Sequence, residues 1–173
     1  MKILLLSLVL GLACAQEPQT EQDPTQGSRI SGKWKTLYVA ASNREKTSEN
    51  GPFHAYMHWI HFENGNNKIF FKFFVKVKGK CTEISAKRRK VAPNVYEDAG
   101  KNELHFVHVS KNALILYNIN VDKDKKTIST ELNSRGDKAE EQDFKKFKEV
   151  MRQKGIPEEN VMNVPETDDC PMQ

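Results

Sequence analysis

The chain has 173 residues, 38% of them hydrophobic and 29% charged, with a formal net charge of +4. That bias is too mild to argue for nucleic acid by itself. The length fits one domain behind a short leader, and no apolar run is long enough to span a bilayer.

The leader is residues 1–15. Lys2 gives a positive start, Ile3 to Leu12 form an apolar run, and Ala13-Cys14-Ala15 is a small-residue cleavage site. This is the pattern of a secretory signal peptide, which predicts an exported, extracellular protein without membrane insertion. Gly11 disfavours reading Cys14 as a lipoprotein cysteine, because leucine is wanted there. Cleavage takes one lysine and no acid from the +4, which leaves +3. It also leaves two cysteines, Cys81 and Cys170, and an exported chain with two cysteines pairs them.

Residues 16–30, QEPQTEQDPTQGSRI, carry two prolines and little apolar content, which predicts a flexible arm ahead of a domain over 31–173. From residue 31 to about 135 the pattern has period two. The segment SGKWKTLYVA at 31–40 opens it with Gly32 and Trp34 two residues apart. FHAYMHWIHF at 53–62 alternates two mixed faces. KIFFKFFVKVKGK at 68–80 is cleaner, with Phe71, Phe73, Val75 and Val77 opposite Lys72, Lys76 and Lys78. That is a half-buried antiparallel strand. ELHFVHV at 103–109, ALILYNIN at 113–120 and KTISTEL at 126–132 continue the series. Turn signals such as Asn50-Gly51-Pro52, Lys78-Gly79-Lys80 and Asp122-Lys123-Asp124 separate the runs. About eight strands joined in sequence by short loops predict an all-β, antiparallel up-and-down barrel or sandwich.

One helix follows over 137–155, with Asp137 as its expected cap. Phe144, Phe147, Val150 and Met151 form an apolar stripe suited to the outside of a sheet. Gly155 and Pro157 stop it. Val161 to Val164 could add a last edge strand.

The whole set resembles the lipocalins, whose first strand opens with Gly-x-Trp. Glu49-Asn50-Gly51-Pro52-Phe53, Asn118-Ile119-Asn120-Val121-Asp122 and Gly155-Ile156-Pro157-Glu158-Glu159-Asn160-Val161 are similar to the odorant-binding, aphrodisin-like and probasin-like members. So are Phe144-Lys145-Lys146-Phe147-Lys148-Glu149, the Gln16-Glu17-Pro18-Gln19 start and the Asp168-Asp169-Cys170-Pro171 tail. The resemblance implies an eight-stranded antiparallel up-and-down barrel with one C-terminal flanking helix. It implies that Gly32 and Trp34 close the narrow end, with Arg135 packed across the indole. It implies an extracellular carrier of small hydrophobic volatiles, odorants or pheromones, with no cofactor and no catalysis. The implied cavity wall is Val39, Phe53, Ala55, Met57, Phe71, Phe73, Asn102, Leu104, Leu116 and Asn118, with Asn118 orienting a polar head group. The chain is expected to be monomeric by default. Relatives include homodimers that swap the helix-bearing segment, and a Cys81–Cys170 staple would oppose that exchange.

Two departures stand out. Asp98 falls where the family commonly has an aromatic gate, with Tyr96 displaced. In the last strand, family alignment turns Ser129, Glu131 and Asn133 inward. Apolarity instead favours a one-residue slip that puts Ile128, Thr130 and Leu132 inside. Other chemistry is weak. His54 and His58 share a face, but four residues along a strand separate them by roughly 13 Å, too far to chelate one metal ion. His61, His105 and His108 complete the set and read as exposed strand histidines. Lys87-Arg88-Arg89-Lys90 reads as a solvated hairpin that blunts an edge. The alternative function is a lipocalin scaffold acting through a receptor or polyanion partner, which inward-facing Glu131 and Asp98 would favour. Hydrolase and phosphate-loop motifs are absent.

Overall fold

A computed structural model describes residues 27–167 and Cys170. The signal peptide and most of the expected arm lie outside the described residues. Ten strand segments form one antiparallel sheet: β1 (Gly32–Lys33), β2 (Lys35–Ala41), β3 (Ala55–Glu63), β4 (Lys68–Val77), β5 (Lys80–Ala92), β6 (Val95–Glu97), β7 (Glu103–Val109), β8 (Ala113–Asp122), β9 (Lys125–Ser134) and β10 (Met162–Asn163). Neighbours from β3 to β9 follow chain order. β1 pairs with β3, whereas β2, directly after it, pairs with β9. The stretch 32–41 therefore bridges both edges, and the sheet closes on itself. Counted as one strand, it makes eight barrel strands, with β10 added beside β2. Closure removes the exposed edges that an open sheet would carry.

The turn chemistry follows the sequence. Lys78 and Gly79 both have positive φ between the paired Val77 and Lys80, as a two-residue hairpin requires. The mixed faces of 53–62 have a physical cause. The β3–β4 register shifts between Met57 and Trp59, which marks a bulge. A bulge inverts the alternation. Ala55 and Met57 face inward before it, Ile60 and Phe62 after it, and Trp59 is left 39% exposed.

Several expectations need correction. Residues 27–30, assigned to the arm, form a helical turn, α1 (Gly27–Ile30), and Ile30 is buried against the barrel core. The Lys87–Lys90 run is no hairpin. It lies inside the thirteen-residue strand β5, so alternate cations face opposite sides. The C-terminal helix α2 spans Glu141–Gln153 and starts after Glu140, which makes no side-chain capping bond. Asp137 instead pairs with Lys35 at 3.2 Å.

The far end of α2 behaves as the sequence predicts. Gly155 has φ +68. Its amide donates to the Arg152 carbonyl, and the Ile156 amide donates to the Met151 carbonyl at 2.9 Å. Those paired bonds and the buried Ile156 side chain make a Schellman stop. The Phe147, Val150 and Met151 stripe packs on Ala40, Ala113, Ile115 and Leu132 outside the barrel. This overturns the slipped register of β9. Helix α2 covers the outer face of that strand, so its apolar residues, Leu132 and Ile128, are needed outside. Thr130 is also outside, its hydroxyl donating to the Leu116 carbonyl at 2.8 Å. Ser129 and Glu131 face the interior.

Cys81 on β5 and Cys170 in the tail form a disulfide across 89 positions of sequence. Cys170 and Val164 are buried against Val39 and Tyr56, so the bridge fastens the tail over β2 and β3. Replacing both cysteines with serine is expected to cost about 2–5 kcal/mol, the range for losing a native bridge that closes a long loop. A lower urea midpoint with an unchanged far-ultraviolet β-signal would be the measured result.

Candidate ligand-binding site

One end of the barrel is closed. Trp34 is 1% exposed, its indole N–H donates to the Ile30 carbonyl at 2.6 Å, and the Arg135 guanidinium lies 3.8 Å above the ring. Arg135 follows β9 directly and also donates to the carbonyls of Lys33, Arg29 and Ser31. Gly32 has φ +114, and a Cβ there would stand 3.0 Å from the Arg135 Nη1. Glycine is needed at that position for backbone conformation and for guanidinium clearance. Beyond Trp34 the interior is filled by Ile60, Phe62, Ile69, Tyr96, Phe106 and Leu114. Tyr96 is fully buried there, its hydroxyl donating to the Asn66 carbonyl, so it does not gate an entrance.

The other half of the barrel holds a cavity. Its volume open to the centre of a water molecule is about 160 Å³. A single water needs about 10–15 Å³ by this measure, so the space admits a guest of several heavy atoms. The cavity brings together Phe53, Ala55, Met57, Phe71, Phe73, Asn102, Leu104, Leu116 and Asn118. Val39 is the exception. It is buried, but it packs with Tyr56, Val164 and Cys170 and does not line the cavity.

The sequence reading missed Arg88, which lines the cavity beside Glu131. It is the member of the basic run that reaches the cavity, opposite the buried Ile69 on β4. The phase of β5, with Ala86 and Arg88 on one face, was the available signal. A chain of polar contacts runs from it through the interior. Arg88 Nη1 donates to Asn118 Oδ1 at 3.3 Å, and Asn118 Nδ2 donates to Glu131 Oε1 at 3.3 Å. Asn133 Nδ2 lies 3.5 Å from Glu131 Oε2, and its Oδ1 accepts from Thr36 Oγ1 at 2.8 Å. Thr36 in turn accepts the Met57 amide at 2.9 Å. Each amide is thus oriented by a neighbour, and both aim their N–H groups at Glu131. Asn118 is engaged at both ends, as a relay between the two charged groups.

Behind Arg88, Asp98 stands 3.9 Å from Nη2. It accepts from the Gly100 and Asn102 amides and the Asn102 side chain, so it builds the 98–102 loop. Burial pushes the Asp98 carboxyl up. The Asn102 and Gly100 bonds and the Arg88 charge outweigh this and hold it below its usual value. Burial lowers the Arg88 pKa, opposed by Asp98 and Glu131. A guanidinium so placed remains a cation. Glu131 moves the other way. Burial raises its pKa, and Asn133, Arg88 and Asn118 offset only part of that.

His54 is buried rather than exposed, bridging the Thr47 carbonyl and the Tyr56 hydroxyl. His105 pairs with Glu103, and His108 joins Asp143 of α2 at 3.2 Å.

A model of the lipocalin / cytosolic fatty-acid binding protein family matches residues 31–168. The chain is a lipocalin. It is 37% identical over 175 residues to allergen Bos d 2 of Bos taurus, covering 99% of each chain. Among solved structures, a dog lipocalin allergen is 41% identical with a TM-score of 0.78, over 83% of this chain and 99% of that one. A complex of bovine odorant binding protein with undecanal is 35% identical with a TM-score of 0.57, over 83% and 94%. The Cys81–Cys170 bridge of this lipocalin is the pairing that its cysteine count predicted.

Proposed function

We propose that this lipocalin is an extracellular carrier that binds small hydrophobic molecules, of the odorant or pheromone class, in the cavity of its barrel. The observation that carries this reading is a barrel cavity walled by Phe53, Met57, Phe71, Phe73, Leu104 and Leu116, with polar groups confined to part of its lining. Such a site binds by burial and orients by one or two polar contacts. The bovine odorant binding protein complex with undecanal supports it by kinship. Each buried CH₂ contributes about 0.8 kcal/mol, and after ordering costs a ten-carbon guest reaches micromolar affinity, roughly −8 kcal/mol. The work is non-covalent, and the protein acts as a monomer whose own disulfide holds the tail to its own barrel.

Inward Glu131 favours the scaffold reading, in which the cavity serves no guest. Against it, the carboxyl sits in a bonded polar chain beside open space and does not fill the barrel. The test is saturation with N-phenyl-1-naphthylamine, followed by displacement with medium-length aldehydes and alcohols. One-site binding displaced at micromolar levels is expected. Phe73→Trp should report the same guests by fluorescence. No dye uptake by disulfide-intact protein would overturn the carrier reading.

A further inference from the structure

The polar groups of the cavity fix more than its location. Among the described residues lining it, Arg88 and Glu131 are the ionisable ones. Arg88 already faces a second carboxylate, Asp98, which the 98–102 loop holds in place. Asp98 is partly exposed and stands outside the cavity lining. Arg88 makes its ion pair with Asp98 and meets Glu131 only through Asn118.

The hydrogen bonds around Glu131 are built for an acceptor. Asn118 Nδ2 points at one carboxyl oxygen and Asn133 Nδ2 at the other, and neither amide can turn round without losing Arg88 or Thr36. A neutral carboxylic acid would bring its own proton into a place already supplied with donors. Among the described residues Glu131 makes no direct ion pair, and Arg88, in the same lining, reaches it through Asn118. The apolar wall of Phe53, Met57, Phe71 and Phe73 lines the same space.

We propose, building on the carrier reading, that this cavity selects lipophilic amines, seating a protonated amino group against Glu131 with the hydrocarbon tail along the phenylalanine wall. A monocationic guest gives Glu131 a direct ion pair. An alcohol or aldehyde leaves Glu131 as it stands, held by the two side-chain amides. A fatty acid adds a second carboxylate to a lining that already holds Glu131 and is disfavoured, although Arg88 lines the cavity. A charge-assisted contact to a buried carboxylate gives about tenfold or more in affinity over a neutral hydrogen bond.

The test uses octylamine, octanol, octanal and octanoic acid separately, each displacing N-phenyl-1-naphthylamine from the disulfide-intact full mature chain at pH 8. The expected order places octylamine at least about tenfold tighter than octanol, with octanoic acid weakest. Glu131→Gln should bring octylamine down to the level of octanol. A second measurement needs no variant. In protein labelled with carboxyl-¹³C glutamate, one buried carboxyl resonance should shift on adding octylamine and stay in place with octanol. Octanoic acid binding as tightly as octylamine, an unchanged order in Glu131→Gln, or no carboxyl shift with octylamine would overturn the proposal while leaving the carrier reading intact. Failure of all four guests and of the dye itself would overturn both.

Discussion

Trp34→Ala is expected to destabilise the fold by about 3–5 kcal/mol, the range for deleting a large aromatic side chain from a packed core. Three losses combine at this position. The indole is buried among Ile30, Ile60 and their neighbours, so its removal leaves a void at the closed end. The Ile30 carbonyl loses the N–H that bonds it at 2.6 Å and remains buried without that partner. Arg135 loses the ring beneath it while keeping its bonds to three carbonyls, so its charge stays in place with less to offset its desolvation. Trp34→Phe separates these effects. It keeps most of the ring burial and loses the N–H, and should cost about 1–2 kcal/mol. Urea unfolding followed by circular dichroism measures both. The chain has one other tryptophan, the exposed Trp59, so fluorescence gives a second check. The blue-shifted emission should disappear in both variants and the exposed component remain. A loss below about 1 kcal/mol in Trp34→Ala would mean that the closed end is held by Arg135 and the carbonyls alone.

Much of the fold was legible because period two survives wherever one face is buried and the other wet. β4 reads cleanly, with Phe71 inside and Lys72 outside. Where the rule failed, a second layer of structure had changed what each face needs. In β3 a bulge reversed the faces halfway along, so no single alternation could describe the strand. In β9 the outer face lies under α2, so both faces are covered. Apolar content then pointed to the helix side, through Leu132, instead of the cavity side. Arg88 was lost for a related reason. Four successive cations read as solvent-facing, yet a strand must turn every second residue inward, and the 98–102 loop supplies Asp98 to receive it. Nine of the ten implied wall residues meet in one cavity. Val39 differs because the disulfide-bound tail packs with it, a contact set by residues more than a hundred positions away.

The interior charges also predict an unusual dependence of stability on pH. Glu131 has its folded pKa raised above the ordinary 4.5 by burial. Between the unfolded and folded values the native state binds more protons than the unfolded chain, so stability falls as pH rises through that window. The whole penalty is present above the raised value, about 1.4 kcal/mol for each unit of elevation. Asp98 has the opposite sign. Its folded pKa lies below the ordinary 3.8, so the stability it lends is present above that value and lost as pH falls below it. The two windows do not overlap. Acid unfolding below pH 4 carries the Asp98 contribution, and the decline above pH 4.5 carries that of Glu131. In Glu131→Gln the second limb should vanish and the first persist. The substituted side-chain amide can accept from Asn118 or Asn133 but not from both, which costs about 1–3 kcal/mol at every pH. The diagnostic quantity is therefore the slope. Urea unfolding at half-unit steps from pH 3 to pH 8 should give a wild-type stability that drops from mid-acid toward neutral, and a Glu131→Gln curve that is flatter over the same interval. Parallel curves above pH 4.5 would mean that Asn118, Asn133 and Arg88 together stabilise the carboxylate enough to cancel its desolvation.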